Sequence, residues 1–217
     1  MSESSLHYVV HNPPDASAHD APLLMLLHGY GSNEEDLIGL SPHLDLRLFC
    51  VSARAPYEMD FGGFAWFNIE MGPEGMSFDF AQAVESLVQV YALVDALVEE
   101  YRSTSVYIAG FSQGASMALS AALKKSQTFA GAIALSGVCG PEMMPEDPAS
   151  VRGLPVFMAH GRRDPVIPIA QARASKDLLD PLGLYLLYTE YDMSHTIDPA
   201  CLADLAAWLE AGLDVEQ

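Results

Sequence analysis

The serine at position 112 has a glycine two residues before it and another two residues after it, in the segment GFSQG. The apolar run 106–109 precedes this segment and predicts a buried strand, and the small residues of 115–125 predict a helix. Because Gly110 and Gly114 lack Cβ atoms, the strand and the helix can approach closely and leave Ser112 exposed at a strained turn. The segment therefore predicts a nucleophilic serine, and an ordinary strand-to-helix loop is the alternative.

A serine hydroxyl is a weak nucleophile and needs a base to remove its proton. His195 follows the last predicted strand and Asp164 follows the strand before it, so both belong to the sheet edge that carries Ser112. We predict that His195 is the base and that Asp164 orients it and stabilises the imidazolium. The chain order Ser, Asp, His is that of α/β-hydrolase triads, and not that of chymotrypsin or subtilisin.

Two other carboxylates, Asp192 and Asp198, are closer to His195 along the chain. A carboxylate three residues away in one tight loop has difficulty reaching Nδ1 of His195 while Nε2 faces the serine. The end of a neighbouring strand can approach the ring from behind. We therefore expect Asp164 to be the partner of His195.

The segment 28–32, HGYGS, follows the apolar run 23–27 and predicts a tight turn with amides that point into a cleft. We expect the backbone N–H groups of Tyr30 and Gln113 to hold the oxyanion that forms during acyl transfer. His28 is expected to have a structural role. Ser32 and Glu35 predict a capping box that opens a short helix through residue 40.

Two loops are candidates for substrate binding. The excursion 52–77 contains Trp66 and Phe67 among glycines, which favours an ordered loop that lines a pocket, with a surface loop held by Trp66 as the alternative. The loop 139–153 contains Met143 and Met144, which either line an apolar acyl site or cover the core. The sequence does not decide between these roles for the methionines.

Strands and helices alternate along the chain and predict an α/β fold, a doubly wound and mainly parallel sheet of about seven strands. The predicted strands are 6–10, 23–27, 48–51, 106–109, 130–135, 155–159 and 184–191. The longest helix begins near residue 78, with an apolar stripe that we expect to pack on the sheet. The members of this stripe are Val84, Leu87, Val88, Tyr91, Val94, Val98 and Tyr101. We expect one domain, 1–217.

The chain has 217 residues and a formal net charge of −19. This charge repels phosphate backbones and anionic lipids, so we expect no nucleic-acid partner and no stable membrane association. Three cysteines without a C-x-x-C pair predict free buried thiols, and we expect no metal and no cofactor. The N-terminal residues lack the pattern of a signal peptide, so we expect a cytoplasmic protein. A homodimer stays an open alternative to a monomer.

Six segments together resemble the phospholipase/carboxylesterase family, which includes the acyl-protein thioesterases. They are 28–37, 54–56, 65–67, 111–114, 160–164 and 193–195. The resemblance covers about 23–209 and implies an α/β-hydrolase with a minimal lid that cleaves carboxylic esters or thioesters through an acyl-enzyme. Tyr30, the pair Ser32-Asn33 and Ser194 differ from the residues common in acyl-protein thioesterases, which favours the bacterial-type carboxylesterase branch.

The expected activity is therefore that of a serine carboxylesterase acting on a small-molecule ester with a short to medium acyl group. A thioesterase or lysophospholipase on the same fold is the alternative within this class. A catalytically silent ligand-binding protein is the alternative of another class, although an intact triad argues against it. Dienelactone-type hydrolases use a cysteine nucleophile, whereas position 112 is serine.

Overall fold

The computed structural model describes residues 6–11, 18–72 and 75–215. The strands are, in chain order, β1 (Tyr8–His11), β2 (Leu23–Leu27), β3 (Phe49–Ala53), β4 (Tyr57–Glu58), β5 (Phe64–Ala65), β6 (Ile69–Gly72), β7 (Gly75–Phe78), β8 (Val106–Phe111), β9 (Gly131–Leu135), β10 (Pro155–Gly161) and β11 (Tyr185–Tyr191). The α-helices are α1 (Glu35–Ile38), α2 (Phe80–Tyr101), α3 (Gln113–Lys124), α4 (Ile169–Leu179) and α5 (Pro199–Val215). Short 3₁₀ turns occupy Ser41–His43, Ser126–Thr128, Pro141–Met143, Pro148–Val151 and Asp180–Leu182.

The central sheet has seven strands in the order β1-β3-β2-β8-β9-β10-β11. The strand β1 is antiparallel to β3, and the other neighbours are parallel. The predicted strands are confirmed with small shifts at their ends. Because the parallel strands run in one direction, the loops that follow β2, β8, β10 and β11 emerge at the same edge of the sheet.

Helices cover both faces of this sheet. Alternate residues of β2 point in opposite directions, so that Leu23, Met25 and Leu27 pack into one core with residues of α2, α3 and α4, while Leu24 and Leu26 pack into a second core with α5. All five residues of β2 are buried, which explains why this strand is a continuous apolar run. The doubly wound α/β architecture predicted from the sequence is confirmed.

The buried face of α2 differs from the predicted stripe. Leu87 and Val94 face the core as expected, but Val84 and Val88 are 57% and 61% exposed. The face toward the sheet is completed instead by Val90, Leu93 and Leu97, with Ser86. The first turns of α2 line a cavity, to which Val84 contributes, so the apolar residues at this end of the helix do not all belong to the core.

Among the described residues, α2 is the one helix whose length and composition would allow it to cross a membrane. The buried side chains of α2 belong to the core that also contains β2, so packing on the sheet accounts for part of this apolar character.

The excursion after β3 folds into two small antiparallel hairpins, β4-β5 and β6-β7. The first hairpin is bound to the loop after β2, since Gly31 N donates to Phe64 O (2.9 Å) and Phe64 N donates to Ser32 O (2.8 Å). A Cβ atom on Gly63 would lie 2.0 Å from Gly31 O, so this close approach requires glycine. The described residues of this excursion therefore form an ordered structure, as its aromatic and glycine residues predicted.

The predicted capping box is wrong. The hydroxyl of Ser32 donates to Asp36 Oδ2 (2.7 Å), and the backbone N–H of Glu35 donates to Asn33 Oδ1 (2.9 Å). The helix α1 ends at Ile38 and its N-cap, Glu34, makes no side-chain cap bond. An Asn side chain that binds the backbone two residues later forms a local turn, and this turn replaces the cap.

Candidate active site

Ser112 lies between the end of β8 and the start of α3, with φ 54° and ψ −116°. A positive φ at a residue other than glycine is strained by roughly 1–3 kcal/mol and persists only where the surroundings enforce it. The backbone N–H of Ser112 donates to Leu135 O (2.9 Å), which fixes the turn against β9. The side chain is half-buried at the edge of the sheet. This is the strained turn that the glycine spacing predicted.

The two glycines of the segment are required by close contacts between backbones. A Cβ atom on Gly110 would lie 2.1 Å from Gly114 O, and a Cβ atom on Gly114 would lie 2.0 Å from Leu27 O. Helix α3 therefore lies directly on the ends of β8 and β2. The pattern of glycines in the sequence reflects this steric requirement.

We expect Gly114→Ala to lower the free energy of unfolding by about 1–3 kcal/mol, because the added methyl group forces α3 away from β2. Urea unfolding followed by circular dichroism would measure it. Gly39→Ala is the matched control, since its Cβ would meet only Asp36 O at 3.7 Å and its φ is −63°. That variant should be unchanged or more stable by about 0.4–1 kcal/mol. Equal losses in both variants would contradict the steric argument.

His195 and Asp164 are joined by a hydrogen bond of 2.6 Å between Nδ1 and Oδ2. Asp164 Oδ1 accepts the N–H groups of Val166 and Ile167 at 2.8 and 2.9 Å. Burial raises the pKa of the Asp164 carboxyl, but the hydrogen bonds from His195 and the two amides outweigh it, so the pKa lies below its ordinary value. The carboxylate is therefore ionised and held on the imidazole.

Asp192 and Asp198 are engaged elsewhere. Asp192 is exposed and pairs with Arg163 Nε at 2.8 Å. Asp198 accepts the backbone N–H of Cys201 (2.8 Å) in the first turn of α5. The structure thus brings Asp164 to His195, and it places the two nearer carboxylates in other contacts.

The loop that carries His195 lies against the turn at Ser112. The rings of His195 and Phe111 are 4.8 Å apart between centroids. A Cβ atom on Gly161 would lie 2.4 Å from both Met193 O and Ser194 O, so the loops after β10 and β11 are in direct contact. This packing brings His195 to the residue that precedes Ser112.

The two predicted oxyanion donors lie on segments that meet at Ser112. Gln113 is the first residue of α3, so its backbone N–H has no acceptor within the helix. A Cβ atom on Gly29 would lie 3.4 Å from Ser112 Cβ, which places the turn containing Tyr30 beside the serine. Tyr30 is 36% exposed. Both segments therefore lie beside Ser112.

The side chain of Gln113 holds the loop that carries the aromatic pair. Its Oε1 accepts the N–H of Trp66 (2.8 Å) and its Nε2 donates to Phe67 O (2.7 Å). Trp66 is completely buried, and its Nε1 donates to His28 O (2.9 Å). Trp66 therefore supports the loop after β2, and it is not among the residues that line the cavity described below, although the sequence predicted that it lines a pocket.

His28 is a buried structural residue, as expected. Its Nδ1 donates to Gly29 O (2.8 Å), and its Nε2 accepts the N–H of Ala55 (3.0 Å), so the ring links the ends of β2 and β3. Burial lowers the pKa of His28 below its ordinary value. The imidazole is neutral and holds the turn that leads to Tyr30.

A cavity of about 550 Å³ begins one helical turn beyond Ser112. It lies between the start of α2, one side of α3 and helix α4, and Ser116 lies in its wall. Its apolar lining includes Phe67, Phe78, Phe80, Val84, Met117 and Met143. Of the four predicted substrate-binding residues, Phe67 and Met143 line this cavity and Met144 does not, while both methionines pack against the core.

An ion pair that we did not predict from the sequence stabilises the same edge of the sheet. Glu34 is buried and accepts from Arg54 Nε at 2.6 Å and from Arg54 Nη2. The hydrogen bond to Arg54 is the main reason that the pKa of Glu34 lies below its ordinary value. The guanidinium also lies over the ring of Phe64, 4.6 Å from its centroid. The sequence did contain a hint of this pair, because the acidic residue Glu34 lies in the segment 28–37 and the basic residue Arg54 lies in the segment 54–56.

His160 is a second histidine beside Asp164, and its role was also missed. It is completely buried, and its Nε2 donates to Ile167 O (2.8 Å) and lies 3.4 Å from Asp164 Oδ2. The ring therefore supports the loop whose amides bind Asp164. In the ranges that the structure describes, no group of three or more His, Cys, Asp or Glu residues could hold a metal ion.

Comparison with known proteins agrees with this geometry. The model of the phospholipase/carboxylesterase family matches residues 8–213. Acyl-protein thioesterase 1 of Saccharomyces cerevisiae is 29% identical over 156 residues, which cover 69% of each protein.

Two solved structures extend the comparison. The crystal structure of esterase PE8 has a TM-score of 0.83 and 26% identity, covering 95% of this chain and 98% of that one. The Bacillus cereus carboxylesterase, with a TM-score of 0.82, 22% identity and coverage of 97% and 96%, shares the fold. The chain therefore belongs to the phospholipase/carboxylesterase family of α/β-hydrolases, and it is a serine hydrolase that acts on esters or thioesters.

Proposed function

We propose that this chain is a serine carboxylesterase that hydrolyses short to medium acyl esters through an acyl-enzyme, with Ser112, His195 and Asp164 as its catalytic triad. The observation that carries the proposal is the 2.6 Å hydrogen bond between His195 and a buried Asp164, on loops packed against the strained Ser112. The named relatives act on esters and thioesters, which supports the reaction class.

In the first half of the reaction Ser112 Oγ attacks the acyl carbon while His195 Nε2 removes the hydroxyl proton. Asp164 holds the proton on Nδ1, so Nε2 is free to act as the base. The imidazolium that forms lies next to the ionised carboxylate, which stabilises it. His195 then gives the proton to the leaving alcohol, and the acyl group stays on Ser112.

In the second half a water molecule replaces the alcohol. His195 removes a proton from this water, which attacks the acyl-enzyme, and Ser112 recovers its proton as the acid leaves. Both tetrahedral intermediates carry a negative oxygen, and the N–H groups of Tyr30 and Gln113 are the proposed donors. The hydrogen bonds from the Gln113 side chain to the loop at 66–67 hold this helix start in place before substrate binds.

The apolar cavity is the proposed site for the acyl group. It begins at Ser116, one turn of α3 beyond Ser112, and Phe67 in its wall is bonded to Gln113. Apolar side chains from α2, α3 and the 141–143 turn remove the acyl chain from water. Phe67 and Met143 are therefore proposed to contact substrate.

We expect kcat/KM to rise with acyl length by about fourfold per methylene, because each buried methylene contributes about 0.8 kcal/mol, and then to level off where the cavity ends. A series of p-nitrophenyl esters from two to sixteen carbons would measure this. A continuous rise to sixteen carbons would contradict the short to medium range. The same acyl groups on thioesters provide the second arm of the experiment.

An acyl thioesterase is the second candidate, and the identity to acyl-protein thioesterase 1 of Saccharomyces cerevisiae favours it. The proposed triad and oxyanion donors serve both leaving groups, since the acyl-enzyme is the same. We favour the ester because Tyr30 and Ser194 depart from the thioesterase pattern. A kcat/KM for octanoyl thioesters well above that for octanoyl esters would reverse this preference.

A further inference from the structure

A row of polar side chains runs along the wall of the cavity that α3 forms. Ser116, Ser120 and Lys124 all line the cavity, and they are spaced four residues apart. Residues at this spacing share one face of a helix. The row leads from the turn after Ser112 to the end of α3. A site that received only an unsubstituted alkyl chain would have no use for these groups.

The members of this row differ in their hydrogen bonds. Ser116 Oγ donates to Val138 O (2.8 Å), so its hydroxyl is occupied. Ser120 is only 6% exposed, lines the cavity and has no hydrogen-bond partner among the described residues. The Ser120 hydroxyl is not one of the fully buried groups that lack a partner, so it is accessible from the cavity and can bind a ligand there.

Lys124 lies one turn beyond Ser120. Lys124 is exposed at the open end of the cavity, its Nζ donates to Glu142 O (3.1 Å), and the other two N–H groups of its ammonium can bind water or a ligand. Lys124 is one of three lysines in a chain with a formal net charge of −19, the others being Lys125 and Lys176. The far part of the cavity therefore has unused donors in an otherwise acidic protein.

We propose that Ser120 and Lys124 form a polar subsite that recognises an oxygen substituent, a hydroxyl or a carboxylate, near the far end of the acyl chain. The inference rests on the proposed function, because it takes this cavity as the acyl site. It goes further in naming the class of acyl group and the two residues that select it.

The helix sets the length of the acyl group. At 1.5 Å per residue, Ser120 lies about 12 Å and Lys124 about 18 Å beyond Ser112 along the axis of α3, and side chains lean back toward the N-terminus. An extended carbon chain advances about 1.25 Å per bond, as follows from a bond length near 1.5 Å. An oxygen about eight to ten carbons from the ester would therefore lie at Ser120, and the long side chain of Lys124, which leans back along the helix, can reach the same position.

Glu142 also lines the cavity and bears on the choice between the two substituents. Its carboxylate lies against Gly140, where an added Cβ would be 2.3 Å from Oε1. This negative charge opposes a carboxylate ligand and has little effect on a hydroxyl. Glu142→Gln should therefore raise the rate for a carboxylated chain relative to a hydroxylated one.

The experiment compares p-nitrophenyl esters of decanoic acid, 10-hydroxydecanoic acid and decanedioic acid. For the intact protein, kcat/KM for at least one oxygenated ester should exceed that for decanoate by about five- to tenfold, the effect of one good hydrogen bond. In Ser120→Ala and Lys124→Met this ratio should fall below about twofold. The decanoate rate of each variant serves as its internal reference.

Lys125→Met is the matched control. Lys125 follows Lys124 but lies 4.0 Å from the centroid of the Tyr91 ring, and it is not in the lining of the cavity. Its substitution removes the same charge and should leave the ratio unchanged. An equal fall in the ratio for Lys125→Met would show a general charge effect and overturn the subsite.

The remaining outcomes separate the two proposals. Hydrolysis of decanoate at a rate equal to or above both oxygenated esters would overturn the subsite and leave the proposed esterase function intact. A preference for either oxygenated ester that survives both Ser120→Ala and Lys124→Met would also overturn it. Failure to hydrolyse any of the three esters would overturn the proposed function and this inference with it.

Discussion

Replacement of Ser112 with alanine should abolish covalent labelling by a fluorophosphonate and lower kcat by about 10⁶, the size of effect known for the loss of a serine nucleophile. The physical reason is that the hydroxyl at the strained turn is the group that forms the acyl-enzyme. Residual hydrolysis of roughly 10³–10⁴ over the reaction in water can survive through the oxyanion donors and would not count against the assignment. Intact-protein mass spectrometry and initial rates would measure both effects.

Ser136 provides a matched control for this experiment. It also has a positive φ, 52°, and it follows β9, the strand next to β8. Its hydroxyl is buried and has no hydrogen-bond partner in the described part of the chain, so Ser136→Ala should keep both labelling and turnover. Labelling that persists in Ser112→Ala and disappears in Ser136→Ala would show that the wrong serine was assigned. A natural protein that takes up no label at all would favour the silent ligand-binding alternative.

Exchange of Asp164 for asparagine should lower kcat by about 10⁴. The carboxylate accepts the Nδ1 proton of His195 at 2.6 Å, whereas an amide can present its NH₂ group there and select the other tautomer, which leaves Nε2 unable to act as a base. The imidazolium would also lose its neighbouring negative charge. KM should change little, because Asp164 is buried behind His195 and does not reach the cavity.

Asp192→Asn and Asp198→Asn should each lower kcat by less than about tenfold, since an exposed ion pair contributes little and Asn is itself a good acceptor for a helix N-terminus. Asp192 pairs with Arg163 at the surface, and Asp198 binds the amide of Cys201. If Asp192→Asn lost its activity while Asp164→Asn stayed active, the proposed triad would be wrong.

Stability against pH gives a second readout of the Asp164 exchange. The pKa of Asp164 is lowered in the folded protein, so its ionisation favours the folded state above the unfolded pKa, which is about 3.9. This contribution is lost as the pH falls through the folded value. The difference in unfolding free energy between the natural protein and Asp164→Asn should therefore shrink as the solution is acidified from neutral pH to below about pH 4.

Much of the fold was predictable because its signals are local. The run at Leu23–Leu27 is apolar at every position since both faces of β2 are covered, and this can be read without any knowledge of the partners. The glycines at 110 and 114 indicated that α3 approaches two strands closely. The alternation of strands and helices then limited the topology to a parallel sheet and placed the chain order Ser, Asp, His at one edge.

The sequence could not separate residues whose local surroundings are alike. Trp66 and Phe67 are adjacent aromatic residues in one loop, yet Trp66 is completely buried under the turn after β2 and Phe67 lines the cavity. Which of the two faces the cavity depends on the hydrogen bonds from Gln113, a residue more than forty positions away in the chain. In the same way, Met143 and Met144 are adjacent in the chain, but Met143 lines the cavity and Met144 does not.

The apolar face of α2 and the contacts of Glu34 were likewise decided by tertiary structure. Val84 and Val88 have the helical spacing of core residues, but both are exposed, and Val84 lines the cavity at the start of α2. Glu34 stands where a helix cap would be useful, but Arg54 takes its carboxylate. Periodicity and turn chemistry depend on a residue and its near neighbours, so the sequence by itself determined the elements and the nucleophile turn. The face of α2, the cavity wall and the buried ion pair depend on segments far apart in the chain, and only folding brings these together.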